Sequence, residues 1–382
     1  MNKNHSSTIY LDKKALANNL EFIRNLLTEK NKFSAVIKGN AYGHGAVEMM
    51  TALQELGVNH FSVFSAYEAK QVFSVLAKNS VLMIMGDIPD EDISWIVENE
   101  IEVFIYDLKS LQQFITTAKN QQKQVNIHIE LETGMHRHGF DKKHWEKLLG
   151  IIKANLAYIK LKGICTHFAG AESSANYKRI KDQQENFREG VGFFKQAGLN
   201  SENLHTSSSA GAIAYPEWNL DLVRIGILLY GLWPSKEIQL FYRMKYQTTF
   251  DLQPVLSWHS SIMAIKEVKP GEYIGYGNSF LAEREMKVAS VPVGYGYGFS
   301  RAMSNTGRVL VKGKRLPVIG MVNMNMFLIE VTDVEVEISD KVTLIGKDAD
   351  QEIKVSYFGN LSDQLNYELL TRLDKSIPRK LI

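Results

Sequence analysis

Residues 36–45 read Val36-Ile37-Lys38-Gly39-Asn40-Ala41-Tyr42-Gly43-His44-Gly45. They close a short apolar run, Phe33-Ser34-Ala35-Val36-Ile37, whose β-branched residues read as a buried strand. The run ends in Lys38. Gly39, Gly43 and Gly45 then alternate with Tyr42 and His44, and a helical pattern begins. Burying a lysine at a strand end is costly, and desolvation lowers its pKa. An amine of that kind can form a Schiff base. The plainer alternative is a lysine that snorkels out of the strand end.

Moving outward, the alternation repeats. A helix over residues 12–31 precedes the run, with Leu16, Leu20, Ile23 and Leu27 on one face. Strand patterns follow at 60–64, 81–85, 102–106, 125–130, 161–165, 203–206 and 220–224, with helical stretches between them. Eight such units predict a parallel (β/α)8 barrel. The stretch between Thr206 and Leu220 holds at most a turn or two of helix, which leaves a doubly wound open sheet as the alternative. After residue 241 the pattern turns to strand-like runs punctuated by Pro270-Gly271, Gly275, Gly277, Gly294, Gly307, Gly313 and Gly320. The expected organisation is a barrel over residues 9–240 and a mainly β domain over 241–382.

With 382 residues the chain is long enough for two domains. A net charge of +2 with mixed signs gives no nucleic-acid footprint. There is no run long enough to span a bilayer and no signal-peptide pattern. The single cysteine, Cys165, excludes an internal disulfide framework and fits a reducing, cytoplasmic setting.

In a (β/α)8 barrel, chemistry gathers at the C-terminal strand ends. Lys38 ends the first strand and Glu130 the fifth. His167 follows the sixth, Ser207-Ser208-Ser209 the seventh, and Arg224 ends the eighth before Ile225-Gly226-Ile227. Ionisable side chains of this kind at four barrel ends mark a functional mouth rather than a structural core. Taken singly, each is more simply structural: Tyr42, Tyr276, Tyr295 and Tyr367 as packing residues, His167 as a hydrogen-bonded core histidine, Arg224 as half of an ion pair. His136-Arg137-His138 lacks acidic or thiol partners at ligand spacing, so no metal is expected there.

The stretch at 36–45 resembles the pyridoxal-phosphate lysine motif of alanine racemases. So do, in order, Glu132-Thr133-Gly134-Met135-His136-Arg137, Thr166-His167-Phe168-Ala169, His205-Thr206-Ser207-Ser208 and Arg224-Ile225-Gly226. In the β domain, Gly275-Tyr276-Gly277, Gly294-Tyr295-Gly296-Tyr297-Gly298 and Gly320-Met321-Val322-Asn323-Met324-Asn325 continue the likeness, and Asn366-Tyr367-Glu368 and Ile377-Pro378-Arg379 close it. The resemblance covers nearly the whole chain. It implies a cytoplasmic isomerase that interconverts L- and D-alanine, supplying D-alanine for cell-wall peptidoglycan, with pyridoxal 5'-phosphate as cofactor.

By the same resemblance, Lys38 carries the cofactor and serves as base on one face. Tyr276, supported by His167 and Arg224, serves on the other. A tyrosine with a pKa of ~10 needs such support. Arg224 faces the pyridine nitrogen. Tyr42, Ser208, Tyr367 and the backbone N–H groups of Gly226 and Ile227 hold phosphate, and Arg137, Met324 and Tyr276 contact substrate. Tyr276 reaches a partner's barrel, which implies a head-to-tail homodimer.

Five departures stand out. Glu130 occupies the place of a lysine that becomes carboxylated in many members, and is expected to pair with Arg137. Tyr297, Met321, Asn323 and Asn325 replace an aspartate, an arginine, a cysteine and an aspartate. Tyr297 and Met321 fall at the substrate entrance and leave alanine specificity open; the alternatives are a racemase for serine or another small amino acid, an amino-acid decarboxylase on the same scaffold, and a cofactor-binding protein without alanine activity. Tyr367 crowds the side-chain pocket and favours a small substrate.

Overall fold

Strand β1 (Ser7–Leu11) comes first. The eight expected barrel strands follow as β2 (Lys32–Val36), β3 (His60–Val63), β4 (Val81–Ile84), β5 (Glu102–Ile105), β6 (Val125–Glu130), β7 (Ile159–Cys165), β8 (Asn203–His205) and β9 (Leu222–Ile225). This computed structural model describes residues 5–362 and 366–382. The eight strands pair in parallel in the order β8-β7-β6-β5-β4-β3-β2-β9. Asp221 N–H donates to Leu204 O at 3.0 Å and Arg224 N–H to Ser207 O at 3.1 Å, which brings the two edges together. The sheet is therefore a nearly closed barrel. A doubly wound sheet would reverse its strand order partway across, and this one does not.

Most barrel strands are apolar and buried along their length, as expected for a parallel sheet covered on both faces. Capped helices connect them. Ser65 accepts from Glu68 N–H at 3.3 Å and Asp107 from Ser110 N–H at 2.9 Å. Each such cap contributes about 1 kcal/mol. The weak stretch after β8 resolves into a helix, Ser209–Ala214, and a 3-10 turn, Pro216–Trp218.

The remaining strands are β10 (Leu256–Ser261), β11 (Ala264–Val268), β12 (Met286–Val291), β13 (Arg308–Val311), β14 (Lys314–Ile319), β15 (Phe327–Glu330), β16 (Lys341–Asp348), β17 (Gln351–Ile353) and β18 (Arg379–Leu381). They form a mainly β unit, with helices at Val355–Ser362 and Asn366–Thr371. Its sheet runs β11-β12-β15-β14-β13-β16-β10-β1-β18, with β17 beside β16.

The chain divides into two compact units that are discontinuous in sequence. One comprises Ala15–Gly39 and Met49–Gln253, the other Met1–Lys14, Asn40–Glu48 and Pro254–Ile382. β1 belongs to the second because Ile9 and Leu11, both 0% exposed, need a sheet to be buried against. It finds antiparallel β10, with Ile9 opposite Trp258, and parallel β18, with Ile9 opposite Arg379. Among the described residues no helix is long and apolar enough to cross a membrane.

Candidate active site

Strand β2 ends at Val36, one residue short of the apolar run, and Lys38 opens an unusual turn. Gly39, Asn40, Ala41, Tyr42 and Gly43 have φ of 62°, 54°, 52°, 52° and 84°. This is a left-handed helical turn, and three of its residues are not glycine. Left-handed backbone costs a non-glycine residue roughly 1–2 kcal/mol. Specific bonds hold the turn. Asn40 Oδ1 accepts Ala46 N–H at 3.0 Å, and Gly45 N–H donates to Asn40 O at 2.9 Å. Arg379 Nη2 donates to Gly43 O at 3.1 Å. At Gly43 a Cβ would lie 1.8 Å from Leu370 O, so the chain packs where only glycine fits.

Lys38 is exposed at the barrel mouth, yet the protein packed around it lowers its amine below the ordinary lysine value. Arg137 and Arg224 lower it further, while Glu68 opposes them. Because the group still reaches solvent, the Coulomb part of that effect is screened. His167 shares the same surroundings. Its burial, with Arg224, Arg137 and Lys38 nearby, holds the imidazole down to about 3, so it stays neutral. The mouth thus brings together Lys38, Arg137, His167 and Arg224.

Arg224 is 6% exposed and is backed by a chain of buried groups that the sequence does not reveal. Its Nη2 donates to Thr166 O at 2.8 Å and its Nη1 to His205 Nδ1. His205 Nε2 meets His128 Nδ1 at 2.8 Å, and His128 Nε2 meets Glu102 Oε2 at 2.8 Å. A guanidinium only donates and a carboxylate only accepts. Both histidines are then neutral, each donating toward Glu102, and the tautomers follow from the partners. Burial lowers both imidazoles below the ordinary histidine value, which agrees with that assignment. Burial alone would raise the Glu102 carboxyl, but hydrogen bonds from His128 and His60 carry it well below the usual range. Lys162 Nζ stands 3.5 Å from the other Glu102 oxygen. Gly163 makes room for the pair: a Cβ there would lie 2.2 Å from His128 Nδ1 and 2.8 Å from His205 Nε2.

The loop after β6 departs from expectation. Arg137 does not meet Glu130 directly. His138 stands between them, with Nδ1 2.6 Å from Glu130 Oε2 and Nε2 accepting Arg137 Nε–H at 2.8 Å. Glutamate is too short to reach the guanidinium, and the imidazole spans the gap. Glu132 does different work. Its carboxylate accepts the N–H groups of Gly134, Met135 and His136, the last two at 2.8 Å, and so fixes the loop.

Of the three serines after β8, Ser207 donates to Trp218 O at 3.0 Å and Ser209 Oγ accepts Gly226 N–H at 3.0 Å. Ser208 caps no helix N–H. Ile227 opens the 3-10 turn Ile227–Tyr230, whose first N–H has no acceptor within the turn. Ser208 and Ile227 therefore present donors, whereas the Gly226 N–H is engaged by Ser209.

In the β unit, the rings of Tyr42 and Tyr367 meet edge to face at 6.0 Å. Tyr276, 74% exposed, sits between Gly275 and Gly277, with φ of 78° and 76°. Met324, 55% exposed, lies on a loop whose carbonyl accepts Gly296 N–H at 2.9 Å. A Cβ at Gly294 would lie 2.0 Å from Asn323 O, so the loop docks closely on the glycine turn. The ring of Tyr297 packs edge to face on His5 at 5.1 Å.

Comparison with known proteins gives one answer throughout. Family models for the alanine racemase N-terminal and C-terminal domains match residues 11–234 and 255–381. An alanine racemase of Leptospira interrogans is 35% identical over 99% of this chain and 96% of its own length. One of Methanococcus maripaludis is 34% identical over 97% and 96%. The crystal structure of alanine racemase from Bacillus anthracis with bound L-Ala-P superposes with a TM-score of 0.90 at 30% identity, covering 100% of this chain and 96% of that one. That of Bartonella henselae with covalently bound pyridoxal phosphate gives 0.83 at 25% identity, covering 99% and 100%.

Proposed function

The chain belongs to the alanine racemase family, and we propose that it interconverts L- and D-alanine by a two-base mechanism with pyridoxal 5'-phosphate, supplying D-alanine for cell-wall peptidoglycan from the cytoplasm. The observation that carries this reading is Lys38: an amine of lowered pKa at a barrel mouth, in one electrostatic environment with Arg137, His167 and Arg224.

The residues present fit the cofactor. When bound, it supplies an aldehyde for a lysine amine and a ring that acidifies the substrate α-proton. Lys38 would hold the aldehyde. Ser208 and the Ile227 N–H, with Tyr42 and Tyr367, would hold the phosphate, and Gly226 allows close approach of the backbone. Arg224 would face the ring nitrogen. A guanidinium has five N–H donors and no acceptor, so a nitrogen opposite it must accept and stays unprotonated.

The protein's own groups then divide the work. Lys38 takes or returns the α-proton on one face, and its lowered pKa leaves more free amine near neutrality. Tyr276 does so on the other. Its exposure supports a role in the barrel of a second copy, in a head-to-tail homodimer. His167, neutral and held down to about 3, can hydrogen-bond the phenol without adding charge. Arg137 would hold the substrate carboxylate, with Met324 as a further substrate contact. Tyr367, ring against Tyr42, limits the pocket to a small side chain, which favours alanine over serine.

The test is racemisation of L- and D-alanine by the purified holoenzyme with chiral detection, beside a serine panel. Lys38→Ala should lose the absorbance of bound cofactor and the activity together. A borohydride-reducible adduct retained by Lys38→Ala would overturn the assignment of Lys38.

A further inference from the structure

Glu130, 4% exposed, ends β6 with its carboxylate directed at one imidazole. The loop that carries this imidazole is closed on the strand. Leu131 and Phe140 form a bridge, Phe140 N–H donates to Glu130 O at 2.8 Å, and Glu132 caps the tip. At Gly139, with φ of 115°, a Cβ would lie 2.7 Å from Glu132 N. The position of His138 against Glu130 is therefore built into the backbone. Arg137, by contrast, is an exposed side chain, and its Nε–H is anchored on His138 Nε2.

Only one form of His138 satisfies both neighbours. The carboxylate accepts only, so the 2.6 Å approach requires the proton on Nδ1. Both atoms are buried; their contact is close without being an aligned hydrogen bond, and neither has any other hydrogen-bond partner. Arg137 only donates, so Nε2 must keep its lone pair. A second proton on the ring would set N–H against N–H and place two cations side by side.

We propose that His138 is a positioning residue: protonated on Nδ1 and bare on Nε2, it links Glu130 to Arg137 and holds that guanidinium for the substrate carboxylate. This rests on the reading of Arg137 as the carboxylate clamp. The titratable and charged groups around the ring are Glu130 from β6, Tyr106 from the end of β5 with its ring 5.1 Å away, Arg137 on the same loop, and His167 after β7. Cys165 and Arg224 face Glu130 from β7 and β9.

Two measurements on the holoenzyme test this. Nitrogen NMR of histidine-labelled protein should find His138 protonated on Nδ1 and bare on Nε2, and the opposite tautomer would overturn the link. Steady-state kinetics should show substitutions of His138 acting on KM for L-alanine, with kcat changing less. His138→Gln keeps a donor and an acceptor, so its KM should stay near the wild-type value. His138→Leu should raise KM about tenfold at every pH, the scale of one lost hydrogen bond to a charged group, with cofactor absorbance unchanged. A wild-type KM in His138→Leu, or a KM in His138→Gln raised as far as in His138→Leu, refutes the proposal. If the wild-type holoenzyme does not racemise alanine at all, the functional reading fails instead, and the tautomer measurement still decides the role of His138.

Discussion

Glu102→Gln is the sharpest probe of the chain that supports Arg224. The carboxylate ends a series in which Arg224, His205 and His128 each donate toward it, and it lies 5% exposed beneath the mouth. Glutamine keeps one acceptor for His128 but removes the charge, and it weakens the contacts to His60 at 3.4 Å and Lys162 at 3.5 Å. A hydrogen bond to a charged group contributes about 1.5–3 kcal/mol. A loss of about 2 kcal/mol should lower Tm by roughly 4–8 °C for a unit of this size. The assay is thermal unfolding of Glu102→Gln, of His205→Gln and of the double variant. Because the groups act in series, the double variant should lose less than the sum, with a coupling of about 0.5–3 kcal/mol. The functional companion is cofactor affinity, which should fall in both single variants as Arg224 loses its orientation. Additive stabilities, within about 0.3 kcal/mol, would show that the four groups are neighbours and not a connected series.

Mixing Lys38→Ala with Tyr276→Phe, each inactive, should restore part of the racemisation, since a mixed dimer has one intact composite site; no recovery despite confirmed subunit exchange would place the site within one chain. Gly43→Ala should destabilise by several kcal/mol, because its Cβ would meet Leu370 O, whereas Gly271→Ala, also left-handed at φ 84° but in open space, should cost about 1 kcal/mol; equal melting temperatures would refute the close approach. Acid should weaken the fold between about pH 6.5 and 4. Burial holds His44 down to about 4 and His167 to about 3, so the unfolded chain binds their protons first. Stability is full above the unfolded value of about 6.5 and falls as pH drops toward the folded one, by up to about 1.4 kcal/mol per pH unit for each histidine. Urea unfolding at pH 7, 6 and 5 measures it, and a flat free energy would contradict the burial of these rings.

The barrel was legible because its signals are local. Each strand is a short apolar run, and the residue at its end is chemically out of place in a core. Lys38, His167 and Arg224 are visible one at a time for that reason, and their shared environment follows once the strands close in order. What stayed hidden depends on pairings between distant residues. His128 and His205 are 77 positions apart, and nothing near either announces the other. Gly163, which admits them both, reads from sequence as one more glycine in a strand. β1 is an ordinary alternating strand, and its partners β10 and β18 lie far along the chain from it. The left-handed turn at Gly39–Gly43 was half visible in its two glycines, but Asn40, Ala41 and Tyr42 give no sign of positive φ. His138 was legible as a residue and not as a link, because the sequence shows that Glu130 is short without showing what stands next to it.

The two arginines at the mouth are held by the same device. Arg224 reaches Glu102 through His205 and His128, and Arg137 reaches Glu130 through His138. In each case imidazole, two rings in the first and one in the second, lies between the guanidinium and the carboxylate. A direct carboxylate–guanidinium pair would orient an arginine equally well, but it would also cancel its charge at close range. Coulomb energy falls as the inverse of distance, so roughly doubling the separation halves the attraction. A neutral imidazole in the gap keeps the orientation through hydrogen bonds while moving the countercharge away. An arginine paired straight to Glu130 would offer an incoming carboxylate a neutralised partner. One held through His138 keeps its remaining N–H donors and most of its field free, which is what the proposed clamp on a substrate carboxylate requires.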